Sequence, residues 1–70
     1  DQGSADAQYE LGFCYETGHW VRQNHEKAFG WYTKAADQGN ADAQFNLGFC
    51  FYNGQGVKQD LVKAVEWYSK

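Results

Sequence analysis

The chain has 70 residues, 43% of them apolar, with an aromatic share of 19% and a net charge of −3. That length allows one small domain with a marginal core, and the composition excludes a disordered chain. Six basic residues scattered among nine acids make no stripe for tracking nucleic-acid phosphates, and no apolar run approaches the roughly 20 residues of a membrane span.

In chain order, Asp1-Gln2-Gly3 has the chemistry of a helix end, and Ser4 can cap a helix running from about Ala5 to Glu16. Ala7, Leu11, Cys14 and Tyr15 fall on one helical stripe, its expected buried face. Thr17-Gly18 stops this helix, and the loop His19–Gln23 leads to Asn24, a good N-cap. A second helix is expected over about His25–Gln38, with Ala28, Tyr32, Ala35 and Ala36 buried. Gly39 suits the left-handed residue past its end, and Asn40 caps a third helix, about Ala41–Tyr52. Its stripe is Ala43, Leu47, Cys50 and Phe51. Asn53-Gly54, the loop Gln55–Gln59 and the cap Asp60 precede a fourth helix, about Leu61–Lys70, with Ala64, Trp67 and Tyr68 inward.

The two halves are the same text. Displaced by 36 residues, Asp1–Lys34 matches Asp37–Lys70 at 19 of 34 positions. A fixed period of this length marks a helical repeat array. The expected fold is all-α: two stacked helix–turn–helix units forming part of a right-handed α/α solenoid, unit 1 over about 4–39 and unit 2 over about 40–70. No strand is expected. Gly12 and Gly48 recur inside the first helix of each unit, where glycine costs up to about 1 kcal/mol relative to alanine. Their expected role is to let two helix backbones approach. In the loops, Gly18-His19-Trp20-Val21 stands against Gly54-Gln55-Gly56-Val57. If Gly56 uses positive φ, Trp20 has to adopt it at a cost or rebuild the loop.

The units read Ala7, Leu11, Gly12, Tyr15, Gly18, Val21, Asn24, Lys27, Ala28, Trp31, Tyr32, Lys34, Ala35, Ala36, Gly39, and again Ala43, Leu47, Gly48, Phe51, Gly54, Gly56, Val57, Asp60, Lys63, Ala64, Trp67, Tyr68, Lys70. This pattern resembles the Sel-one-like repeat (SLR) family, a tetratricopeptide-related group of helical solenoids, over essentially the whole chain. The resemblance implies an adaptor or scaffold that holds other proteins together. A cysteine-rich bacterial branch staples each helix pair with disulfides. This chain lacks the second cysteine per unit, so that feature does not carry over.

The resemblance also places the first helix of each unit on a concave binding face. That face would carry Asp6, Tyr9, Glu10, Phe13, Glu16 and Thr17 from unit 1. Asp42, Phe45, Asn46, Phe49, Tyr52 and Asn53 would come from unit 2. Tyr9, Phe13, Phe45 and Phe49 either pack between units or stand free as anchors for a peptide or helix.

Catalysis finds little footing. His19 and His25 flank a loop, Cys14 faces the expected core, and the acids are dispersed, so no catalytic, cofactor or metal residues are assigned. A non-catalytic interaction module is therefore expected, with a structural spacer as rival and a hydrolase as a remote third reading. Expected partners are a protein or peptide, neighbouring repeats, or further copies of the chain meeting through exposed repeat ends, but not nucleic acid or membrane. Cys14 and Cys50 should lie about one helix spacing apart, on the order of 10 Å, and remain free. Free thiols fit a reducing compartment such as the cytoplasm.

Overall fold

The computed structural model describes residues 3–70. It consists of four helices: α1 (Ala5–Thr17), α2 (His25–Asp37), α3 (Ala41–Asn53) and α4 (Leu61–Tyr68). No strand occurs among the described residues. The reading of Asp1-Gln2 as a helix end lies outside the described residues.

Each helix starts where a polar side chain replaces the missing turn. Ser4, Asn24, Asn40 and Asp60 accept hydrogen bonds from the backbone N–H groups of Ala7, Lys27, Ala43 and Lys63. α1 and α3 end on Gly18 and Gly54 in the left-handed region, and their N–H groups donate to the carbonyls of Cys14 and Cys50. α4 stops two residues before the expected Lys70. Its last turn tightens there, with the Lys70 N–H donating to the Trp67 carbonyl at 3.2 Å.

Helices pack in chain order, α1 on α2, α2 on α3 and α3 on α4. The core is one cluster of Ala28, Tyr32, Ala35, Ala36, Ala43, Leu47 and Cys50. The two expected first-helix stripes do not share one fate. Ala43, Leu47, Cys50 and Phe51 are buried, whereas Ala7, Leu11, Cys14 and Tyr15 are only half-buried. The reason is position: α3 has a helix on either side, and α1 packs chiefly on α2. Tyr68 is likewise 41% exposed, against 0% for its repeat equivalent Tyr32.

The glycines of α1 and α3 make room chiefly for rings. A Cβ on Gly12 would lie 2.6 Å from Cδ1 and 2.7 Å from Cε1 of Tyr32, and one on Gly48 would lie 2.7 Å from the same atoms of Tyr68. At Gly48 a neighbouring backbone is close as well, the Ala64 carbonyl oxygen at 3.2 Å. The expected backbone-to-backbone approach is present at Gly48, and at both glycines a tyrosine ring lies across the bare helix.

An aromatic and acidic face on the first helices

Tyr32 ties the two helices of unit 1 together. Its ring covers Gly12 and packs against Tyr9 with centroids 5.7 Å apart, and its hydroxyl donates to a carboxylate oxygen of Glu16. Burial, then the Glu16 hydrogen bond and charge, hold the Tyr32 hydroxyl well above the usual tyrosine range, and hydrogen bonding by Asn46 opposes them. Of the expected face residues, Tyr9 and Glu16 therefore belong partly to the packing. Asp6 accepts a hydrogen bond from the Asn40 side chain at 3.2 Å, which links the start of α1 to the start of α3.

Others of the set are turned outward. Phe45 is 60% and Phe13 49% exposed, and Phe49 and Tyr52 are exposed as well. Phe45 touches Tyr68 with ring centroids 5.4 Å apart. Glu10 and Asp42 are exposed, Asn46 is half-buried, and Thr17 and Asn53 are exposed but bond back to the carbonyls of Phe13 and Phe49.

The charge on these helices has one sign. α1 and α3 contain Asp6, Glu10, Glu16 and Asp42 and no lysine or arginine. Arg22, Lys27, Lys34, Lys58, Lys63 and Lys70, which are all the strong bases, lie on the loops, on α2, on α4 or just past its end. Several are laid over rings, Lys34 Nζ 4.5 Å from the Trp31 centroid and Lys27 Nζ 5.4 Å from that of Tyr15. These two pairs, together with Gly30, line an open hollow of about 350 Å³.

The thiols and histidines stay apart from this face. Cys14 and Cys50 are both free, and burial pushes the Cys50 thiol up to about 11, with the Glu16 charge adding to the rise. His19 packs edge-on against Trp20, and His25 opens α2. Among the described residues, no group of three or more His, Cys, Asp or Glu is placed to hold a metal ion. No described helix is long and apolar enough to cross a membrane.

Sequence reasoning missed the Tyr32–Glu16 bond and the bond from the Gln38 side chain to that of Gln8, 2.8 Å long. Neither carries a linear signal, because the partners lie 16 and 30 residues apart. The exposed aromatics were legible as residues off the core stripe.

Helix pairs repeated with equivalent caps and loops, each covering one flank of the next, define an α-helical repeat protein of the solenoid class. The chain belongs to the Sel1 repeat family, whose pattern matches residues 5–40 and again 41–70. Among solved structures it is similar to a Sel1 repeat protein from Oxalobacter formigenes, with 46% identity over 97% of this chain and a TM-score of 0.95. It is also similar to a protective antigen with an SLR fold from uropathogenic Escherichia coli, with 42% identity over 93% and a TM-score of 0.92. Helicobacter pylori cysteine-rich protein B follows with 31% identity over 93% and a TM-score of 0.89. The chain spans 28%, 14% and 49% of those three proteins respectively. No match was found among curated proteins. Sel1 repeats are generally protein–protein interaction modules and typically non-catalytic scaffolds.

Proposed function

We propose that this chain is a protein-interaction scaffold whose first-helix face takes a basic segment with apolar side chains, such as one face of an amphipathic helix. The observation that carries this reading is the outward exposure of Phe13, Phe45, Phe49 and Tyr52 on two helices whose only charges are carboxylates. Exposed rings in water are anchors awaiting cover, and a field of one sign attracts and orients the opposite one. The spacer reading requires these rings to be packed between units, whereas Tyr9 packs on Tyr32 inside unit 1 and Phe45 touches Tyr68 inside unit 2 while remaining largely exposed.

Selection of a displayed random-peptide library on the immobilised chain tests the proposal. Enriched sequences should combine lysine or arginine with aliphatic or aromatic residues, and should bind more weakly as salt rises. Replacing Phe45 and Phe49 by alanine should abolish the enrichment while leaving helicity intact. Acidic consensus sequences, or enrichment indifferent to those two rings, would overturn the proposal.

A further inference from the structure

The loops inside the two units, α1 to α2 and α3 to α4, have one backbone shape and differ at one decisive residue. In both, two N–H groups donate to the same cysteine carbonyl: Gly18 and His19 to Cys14, Gly54 and Gln55 to Cys50. In both, the helix-capping residue returns to the preceding helix, Asn24 N–H to the Tyr15 carbonyl and Asp60 N–H to the Phe51 carbonyl. Gln23 and Gln59 donate their side-chain amides to the carbonyls of Glu16 and Tyr52 at 2.7 and 2.8 Å. Even the unusual torsion is shared, with φ of 72° at Trp20 and 72° at Gly56.

Gly56 shows what this loop position does between stacked units. It lies against the first turn of the preceding unit's second helix. A Cβ built there would overlap the His25 carbonyl oxygen and stand 2.6 Å from its carbon and 3.1 Å from the Glu26 nitrogen. Those are backbone atoms inside a helix and cannot swing aside. Seating unit 2 on unit 1 therefore demands glycine at this position for its missing side chain, and the torsion favours glycine as well. Unit 1 has Trp20 here, in the same torsion, with the side chain 87% exposed.

We infer that Trp20 closes unit 1 to stacking, so that no second-helix first turn can seat on it as α2 seats on the loop of unit 2. The immediate consequence concerns copies of this chain. α4 presents Leu61, Val62, Val65 and Tyr68 to solvent, the repeat equivalents of residues on α2, including Phe29, which packs edge-on against Phe51 of α3. An α1 from a second copy has the sequence pattern to cover that face. It would bring its own Trp20 Cβ onto the backbone of Leu61 and Val62. The head-to-tail assembly expected from the exposed repeat ends is thus barred by one residue. The α4 end accepts a unit with glycine at the position of Gly56, and this chain's own first unit is not one. This inference is independent of what binds the first-helix face.

A tandem protein provides the test. Two full chains joined through Ala-Ala keep the 36-residue period, because Lys70 is equivalent to Lys34 and Ala35-Ala36 follow it. Three versions differ only in the second copy: unchanged, Trp20→Ala and Trp20→Gly. Guanidinium unfolding of each is compared with the single chain and with its own Trp20→Gly variant, which isolates the relief of torsional strain. The unchanged and Trp20→Ala tandems should unfold with the m-value of a single chain, their halves uncoupled. Trp20→Gly should merge the halves into one transition with an m-value about twofold larger, since m scales with the surface exposed together. Coupling in the unchanged tandem, coupling in Trp20→Ala, or its absence in Trp20→Gly would each overturn the inference.

Discussion

Tyr32 and Tyr68 occupy the same place in the two repeats, yet one is locked and the other is not. The Tyr32 ring has no exposed surface and its hydroxyl is held by Glu16, whereas unit 2 has Tyr52 at the position of that carboxylate. Alanine at Gly12 must displace a ring with nowhere to go, an overpacking cost of about 1–3 kcal/mol before the gain in helix propensity. Alanine at Gly48 meets a ring that can swing toward solvent, leaving only the 3.2 Å approach to the Ala64 carbonyl oxygen. Gly12→Ala should therefore lower the denaturation midpoint more than Gly48→Ala. The reverse order would mean that the backbone contact, and not the ring, sets the cost.

Cys50 makes a second residue-scale prediction. Burial raises its thiol from 9.0 to about 11, so between those values the folded chain keeps a proton that the unfolded chain has lost. Stability is then complete below pH 9 and falls as the pH rises toward 11. Tyr32, raised for the same reason, acts in the same direction. Denaturation midpoints measured across the alkaline range should show this decline, and Cys50→Ala should make it shallower. An unchanged slope in that variant would show that the thiol is not protected from water.

At the scale of elements, the helices differ in how many neighbours they have. α2 and α3 each pack extensively against two helices, α1 and α4 against one. α3 buries Ala43, Leu47, Gly48, Cys50 and Phe51, while the eight residues of α4 bury Ala64 alone. Local opening is easiest where few apolar contacts are lost. Amide exchange should thus be slowest in α2 and α3 and fastest in α4, despite the well-formed cap at Asp60. An α4 exchanging as slowly as α3 would require its apolar face to be covered in solution.

Across the whole molecule, helix positions, caps and stops were readable in advance because they depend on neighbours within about one turn. Asn24, Asn40 and Asp60 accept from the third residue onward wherever the chain places them. The 36-residue period likewise sufficed to establish the two-unit helical solenoid. Which of the two equivalent first-helix stripes is fully buried was decided by the tertiary structure. Leu11 and Leu47 share the same local words, and only Leu47 lies in a helix with neighbours on both sides. The bare helix faces at Gly12 and Gly48 were legible as close approaches, but that a tyrosine ring makes the approach was not, since ring and glycine lie 20 residues apart. Trp20 divides in the same way. Its departure from the glycine of the other unit is plain in the sequence, and its positive φ follows from the shared loop. That a Cβ at Gly56 would meet the helix of the preceding unit is a fact about two units in contact, which no local pattern contains.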